Sequence, residues 1–456
     1  MKKALTSLLL LPLLLGTVFG LFFPLSASSE TARSSLRPGS VYSLMNCDTG
    51  RIFAPEGIAD WILEPADEEN GFFFRDPDSN RYLAESDGAF LLSEQGEPFT
   101  LTPLPYHRFS LSKEDLFIRD SDEGASNLAS LSAAAESGFL STCWFLTEEG
   151  GTKPLRIMPL GDSLTLGLDA DTPFRELSGY RARLSVLLAE QYPDLRFVFV
   201  GSQVHGGTGS ADRAELYRHE GHSGYTVTTP EGTSLQIGLY ELCPFWLQKY
   251  RPDIVLLMIG TNDIGRSLSL GEEAADRTAE LQLQLLNRIR ELSPAKLILL
   301  ETSPPVLGEE SFNRIMRRYN RLITENVQTL SDSGVEILIS DIYSLISDLG
   351  ADAFCSDSMH MSRLGYDAIA GKNASVLFQS AYLGKTLLAI RGENLPDPDE
   401  DASGGDSAST ADLSKQEPGF PEYRQSSNLW LALGLALFLL AVSCGLFALF
   451  RRHKNR

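Results

Sequence analysis

The sequence predicts an α/β protein: a three-layer α/β/α sandwich around a parallel sheet, preceded by a small all-β domain. Three observations carry this. Between residues 154 and 390, short apolar runs alternate with longer amphipathic segments, the signature of parallel strands covered on both faces by helices. Between 37 and 150 the pattern changes to short aromatic-rich runs separated by turn residues, with no helical period. Several apolar runs of the sandwich end in turns that carry Ser, Asn or Gly, and the edge formed by strand carboxyl ends is where such folds place their sites.

Before these domains, Lys2 and Lys3 precede an apolar run from Leu5 to Phe23, and Ser26, Ala27 and Ser28 follow. A positive start, an apolar stretch and a small-residue exit describe a secretory signal peptide over residues 1–28. In the all-β domain (37–150), Arg51-Ile-Phe-Ala is echoed by Arg81-Tyr-Leu-Ala and, more faintly, from Leu116. Trp61-Ile-Leu-Glu, Phe99-Thr-Leu-Thr and Trp144-Phe-Leu-Thr recur at intervals of about forty residues, and repetition of this kind predicts three copies of one four-strand unit, a β-trefoil. In the sandwich (153–390) the candidate strands are Leu155–Leu160, Leu195–Val200, Asp253–Ile259, Ala295–Glu301 and Val335–Ser340. Helical patterns cover Gly179–Glu190, Glu272–Leu292 and Ser311–Leu330.

After the sandwich the composition turns to Pro, Asp, Glu, Ser and Gly. Residues 391–428 bury too little apolar surface to offset chain entropy and read as a disordered acidic linker. Leu429–Phe450 is uncharged and long enough to cross the roughly 30 Å hydrocarbon layer. Arg451, Arg452, Lys454 and Arg456 follow, so the positive-inside rule places the tail (451–456) in the cytoplasm. The expectation is a single-pass protein of the cell membrane with its folded domains outside.

Composition narrows the function. With 43% hydrophobic and 22% charged residues among 456, the chain is globular, and a formal net charge of −21 excludes a nucleic-acid binder. Cys47, Cys143, Cys243 and Cys355 lie outside the predicted anchor and permit two disulfides in an oxidising compartment, with pairing open. No cysteine or histidine spacing calls for a metal: His219 and His222 are spaced His-x-x-His, but no strand or helix is expected to present them, and no cofactor is implied.

The chemistry lies in short motifs. Gly161-Asp162-Ser163 follows the first sandwich strand; alone it would arise by chance in about one chain in ten of this length. Gly201 follows the second strand, where a glycine lets a ligand oxygen approach the backbone N–H. Gly260-Thr261-Asn262-Asp263 follows the third and offers the Asn262 amide as a donor. Asp357-Ser-Met-His360 precedes a helical stretch near Ser362, and this spacing lets a carboxylate hold one imidazole nitrogen while the other faces a serine. Each has an ordinary reading as a turn or a cap. Their order and their placement at strand ends are jointly improbable.

On these residues residues 153 to 385 resemble the SGNH/GDSL hydrolase superfamily, whose Ser, Gly, Asn and His blocks match Ser163, Gly201, Asn262 and His360. Within it the chain is most similar to acetylxylan-esterase-like carbohydrate esterases of family three, through Ile157–Ser163, Gly179-Tyr-Arg181, Phe199–Ser202, Glu220–Thr226 and Pro252–Asp263. Where that family shows Asp-Gly-Val-His-Pro, this chain has Asp357-Ser-Met-His-Met361, a departure that puts the wall of the acyl pocket in question. The all-β domain loosely resembles ricin-type lectins but lacks their Gln-x-Trp signature, since Asp60 precedes Trp61 and Cys143 precedes Trp144.

The resemblance implies acyl transfer with Ser163 as nucleophile, His360 as base and Asp357 as its orienter. Ser163, Gly201 and Asn262 would stabilise the oxyanion, and Asp162, His222 and Tyr225 would meet the substrate. That substrate would be an acylated polysaccharide or glycan carrying short-chain, O-acetyl esters. Two alternatives stand beside hydrolysis: a sugar O-acyltransferase on the same fold, and a glycan-binding adhesin with a vestigial esterase domain.

Overall fold

The computed structural model describes residues 36–392 apart from 69, 87–88, 105–106, 115, 121–126, 131–141, 172–177, 206–217 and 331–333. The first domain contains β1 (Val41–Asn46), β2 (Asp60–Pro65), β3 (Gly71–Arg75), β4 (Tyr82–Ser86), β5 (Ala89–Ser93), β6 (Phe99–Leu104), β7 (Arg108–Lys113), β8 (Leu116–Arg119), β9 (Asn127–Ser130) and β10 (Cys143–Glu148). Six of these close into a ring of antiparallel pairs: β1–β2, β2–β3, β3–β6, β6–β7, β7–β10 and β10–β1. The hairpins β4–β5 and β8–β9 continue from β3 and β7. This is a strand-rich, barrel-like domain, and closure leaves its six ring strands no open edge. Trp61 and Leu63, Phe72 and Phe74, and Phe99 and Leu101 alternate along their strands and fill one core, where the Trp144 indole N–H donates to the Ile118 carbonyl at 3.1 Å.

The faint repeat becomes concrete in two turns. Asn46-Cys-Asp-Thr-Gly-Arg51 and Asp76-Pro-Asp-Ser-Asn-Arg81 fold alike. The first side chain accepts from the backbone N–H two and three residues on, at 3.0 Å in both cases for Asn46 and at 3.2 and 3.0 Å for Asp76. The fifth residue of each takes a positive φ, +67° at Gly50 and +59° at Asn80.

The second domain holds β11 (Leu155–Gly161), β12 (Phe197–Phe199), β13 (Gln203–Val204), β14 (Arg218–Gly221), β15 (Ile254–Met258), β16 (Leu297–Glu301) and β17 (Glu336–Ser340). β17, β16, β15 and β11 run parallel in that order. β12 and β14 are both parallel to β11 as well, β12 along its first half and β14 along its end, while β13 is antiparallel to β14. The helices are α1 (Ser163–Leu166), α2 (Arg181–Gln191), α3 (Leu239–Tyr250), α4 (Thr261–Arg266), α5 (Glu272–Leu292), α6 (Glu310–Thr329), α7 (Ile342–Leu349), α8 (Arg363–Leu377) and α9 (Ala381–Arg391). Met158, Leu160, Val255 and Leu257 pack with residues of α3, α5 and α6 on one face, and Ile157, Ile254, Leu256 and Met258 with α2, α7, α8 and α9 on the other. Burial on both faces is why these strands read as continuous apolar runs.

The two domains share a core. Met45, Cys47, Cys143 and Phe145 of the barrel belong to the same buried cluster as Met158, Leu160, Val198 and Val200. Arg196 reaches back to the barrel's Leu146 carbonyl at 2.6 Å and also bonds the carbonyl of Thr152 in the connection. No disulfide forms among the described residues; Cys243 and Cys355 are thiols buried in separate places, and the Cys47 N–H donates to the Cys143 carbonyl at 2.9 Å. No helix among the described residues is long and apolar enough to cross a membrane. The expected leader (1–28), the linker from residue 393 onward, the span Leu429–Phe450 and the basic tail lie outside the described residues.

Candidate active site

The strand ends converge as parallel-sheet geometry requires. Ser163 opens α1 directly after β11, and Asp162 caps that helix by accepting the Leu164 N–H at 2.9 Å. β14 lies beside the end of β11, and the His222 N–H that follows it donates to the Gly161 carbonyl at 3.0 Å. Arg181, wholly buried in α2, closes the other end of α1 by donating to the carbonyls of Thr165 and Leu166. The short helix that carries Ser163 is thereby fixed at both ends.

His360 arrives from the loop before α8. Ser163 Oγ and His360 Nε2 are 2.9 Å apart, and His360 Nδ1 and Asp357 Oδ2 are 2.6 Å apart. With Nδ1–H donating to the carboxylate, Nε2 is left to accept the serine proton. The other oxygen of Asp357 holds the turn, accepting the N–H groups of Met359 at 3.0 Å and His360 at 2.9 Å. Partial burial raises the Asp357 pKa, but the bonds from His360 and Met359 outweigh it and hold the carboxyl below the usual carboxylate value. Ser358 stands where the family pattern has glycine and takes that residue's conformation, φ +62°, at a cost of about 1–2 kcal/mol for an L side chain. Met361, the other departure, is fully buried in the core beneath the helices. Its side chain packs in the same cluster as Phe354, Tyr366 and Ile369.

Gly201 and Asn262 flank this line. Gly201 has φ +152°, and a Cβ there would lie 2.8 Å from His219 Cα and closer still to its carbonyl, so only glycine fits against β14. Asn262, in the first turn of α4, donates from Nδ2 to the Tyr225 carbonyl at 2.9 Å and lies 3.4 Å from Asp162 Oδ2. Asp162 was expected at the substrate. It is instead buried beside Ser163, occupied by Leu164 and Asn262, and burial pushes its pKa up to about 7. Asp263 beside it is likewise raised to about 7 by burial, and both its oxygens accept the Val227 N–H at 3.1 Å.

The His-x-x-His pair also departs from expectation, because a strand does present it: His219 lies within β14 and His222 just after. His219 Nδ1 accepts the Gly221 N–H at 2.9 Å, which leaves Nε2 to donate to His205 Nδ1 at 3.3 Å. Burial, with Arg181 nearby, drives the His219 pKa well below its ordinary value and lowers that of His205 as well. His222 bonds Glu220 at 2.8 Å, and its ring is stacked between Tyr225 (4.6 Å) and Trp246 (4.8 Å). Trp246, Glu220 and Arg181 contribute to the site without having been read as site residues. Among the described residues one group has converging metal-ligating atoms, Asp169, Asp171 and Cys355, but it is knitted internally: Asp171 accepts the Ser356 N–H, and Asp169 Oδ1 accepts the Cys355 thiol and the Asp171 N–H.

Residues 160–368 match the GDSL-like Lipase/Acylhydrolase family. The chain is 32% identical over 233 residues to a multidomain esterase of Ruminococcus flavefaciens, a stretch covering 49% of this chain and 28% of that protein. Among solved structures it is similar to a family 3 carbohydrate esterase of Clostridium thermocellum (27% identity, TM-score 0.39, 50% of this chain and 96% of that one). It is also similar to a carbohydrate esterase family 3 structure from Talaromyces cellulolyticus (23%, TM-score 0.39, 49% and 97%). Over residues 160–368 the chain is thus similar to GDSL-like lipases and acylhydrolases, and it spans little more than a quarter of the curated relative it matches.

Proposed function

We propose that the protein is a serine esterase that removes short-chain acyl groups, O-acetyl above all, from carbohydrate. The observation that carries this reading is the hydrogen-bonded line from Ser163 through His360 to Asp357, at 2.9 and 2.6 Å. His360 takes the Ser163 proton as Oγ attacks the ester carbonyl, and Asp357 steadies the imidazolium that forms. The tetrahedral oxygen is held by the N–H groups of Ser163 and Gly201 and by the Asn262 amide, whose second hydrogen is only weakly engaged at 3.4 Å from Asp162. Collapse breaks the bond from the acyl carbon to the sugar oxygen, which leaves as a hydroxyl by taking the Ser163 proton from His360. Water, deprotonated by His360, then attacks the acyl-Ser163 ester, and Ser163 recovers the proton as the acid departs.

The Asp357 side chain is 35% exposed, so water reaches this edge of the site, which favours hydrolysis over transfer to a second sugar. The multidomain esterase of Ruminococcus flavefaciens supports the esterase reading. The stretches Ile157–Ser163, Glu220–Thr226 and Pro252–Asp263, which resemble family-three carbohydrate esterases, support a carbohydrate ester as substrate. In the barrel, the six-strand ring and the repeated turns support a β-trefoil. The leader-like start and the apolar run Leu429–Phe450 support a place at the outer face of the cell membrane. The test is acetate release by the purified chain from a panel of acetylated oligosaccharides, with p-nitrophenyl acetate as the generic ester. Release from at least one glycan is expected; an enzyme that cleaves the generic ester and no glycan would remove carbohydrate from the proposal.

A further inference from the structure

The barrel meets the second domain next to β12, the strand that runs into Gly201 two residues past its end. Gly50, in the first of the two matching turns, packs so tightly that a Cβ there would stand 2.9 Å from Cγ1 of Val200 and 3.2 Å from Cγ2 of Val198. Two residues earlier in that turn, Asp48 accepts a forked pair of bonds from Arg218: Nε to Oδ1 at 2.6 Å and Nη2 to Oδ2 at 2.7 Å. The side chains of Arg218 and Asp48 are only 6% and 16% exposed, so the fork is held away from competing water. Arg218 begins β14, and its Nη1 lies 3.5 Å from the Gly201 carbonyl. Glu220, two residues along, accepts the Ser202 N–H at 2.5 Å and the Ser202 hydroxyl at 2.9 Å. The turn that presents Gly201 is thus pressed by Gly50 from the Val200 side, held at its carbonyl by Arg218 and held at the next N–H by Glu220. Asp48 is not needed for the barrel turn itself, because Asp78, the same position of the second turn, is exposed to solvent.

We infer that the barrel domain is a working part of the oxyanion site: Asp48 and Gly50 are positioning residues that hold the Gly201 N–H in place through Arg218 and Val200. This rests on Gly201 being an oxyanion donor, as proposed above. An interaction that aligns a transition-state donor changes kcat more than KM, because the bond it serves is strongest to the developing charge. Asp48→Asn keeps the shape and removes the charge. In the full chain with p-nitrophenyl acetate it is expected to lower kcat about 10-fold with KM changed less than about 2-fold, a fraction of the 100-fold that 1 Å of misplacement costs. Asp78→Asn is expected to match the wild type. On a Gly201→Ala background, where the donor is already displaced, Asp48→Asn should add almost nothing. An active wild type with unchanged kcat in Asp48→Asn overturns the inference, as do fully multiplicative losses in the double variant. A wild type that neither hydrolyses the ester nor reacts with a fluorophosphonate overturns the esterase reading, and this one with it. Should Asp48→Asn melt below the assay temperature, Asp48→Glu decides, since it keeps the charge but moves the carboxylate. A lowered kcat at wild-type melting temperature supports the inference, and wild-type kcat overturns it.

Discussion

Replacing Gly201 by alanine tests the oxyanion assignment most directly. The added Cβ would stand 2.8 Å from His219 Cα and nearer to the His219 carbonyl, where ordinary contact begins at 3.4 Å. The obstacle is backbone in a strand paired to β11 and β13, so no rotamer change relieves it. The Gly201 turn must retreat by about 1 Å, and a misplacement of that size typically costs about 100-fold in rate, or roughly 2.7 kcal/mol of barrier. Ground-state contacts are barely touched, so kcat should carry the loss and KM should move little. The assay is steady-state hydrolysis of p-nitrophenyl acetate, with circular dichroism to establish that the variant is folded. A folded Gly201→Ala enzyme with kcat within twofold of wild type would refute the donor role, and the glycine would then serve packing alone.

Ser163→Ala should abolish fluorophosphonate labelling and nearly all ester hydrolysis, and His360→Ala should be comparably damaging because the three groups act as a unit. Asp357→Ala should hurt less in rate but also loosen the loop, since its Oδ1 holds two backbone N–H groups; Asn262→Ala should lower kcat by about 100-fold, the usual cost of one oxyanion donor. Undiminished hydrolysis by Ser163→Ala protein would end the mechanism. Trp246→Ala removes one face of the His222 stack and should raise KM for an acetylated oligosaccharide more than it lowers kcat; an unchanged KM would take that aromatic wall out of substrate binding. Burial raises Glu301 to about 8, and Asp162 and Asp263 to about 7, so the folded chain binds these protons more tightly than the unfolded one. From an ordinary carboxyl pKa of about 4 up to about 8, the melting temperature should therefore fall as pH rises. Glu301→Gln should flatten that slope, and an unaltered slope in the variant would show that Glu301 is not the group responsible.

The sheet was legible because β11, β15 and β16 are buried on both faces and their apolar runs have no competing period. The grouping of Ser163, His360 and Asp357 was legible because each sits where a strand or helix boundary forces a turn. β14 was not, since Arg218-His-Glu-Gly221 is a buried strand made of polar residues, each satisfied by a specific partner that pattern reading cannot supply. α3 was hidden by Pro244, which removes a helix N–H; the carbonyl it would have served, on Tyr240, faces the Cys243 thiol at 3.8 Å instead. Trp246 went unread as a site residue because it lies on that helix. The barrel's repeat was visible in its aromatic residues, but the likeness of the turns at Asn46 and Asp76 resides in hydrogen bonds.

The cluster shared by Met45, Phe145, Met158 and Val200 bears on how such a chain can be cut and recombined. An accessory domain on a string can be traded between proteins without penalty. Here excision near Thr152 would strip the cover from an apolar strip along β11 and β12, leaving the shortened enzyme prone to self-association. Calorimetry of the intact molecule should correspondingly record one endotherm across both domains. In this chain the barrel therefore serves as one wall of the sandwich's own core.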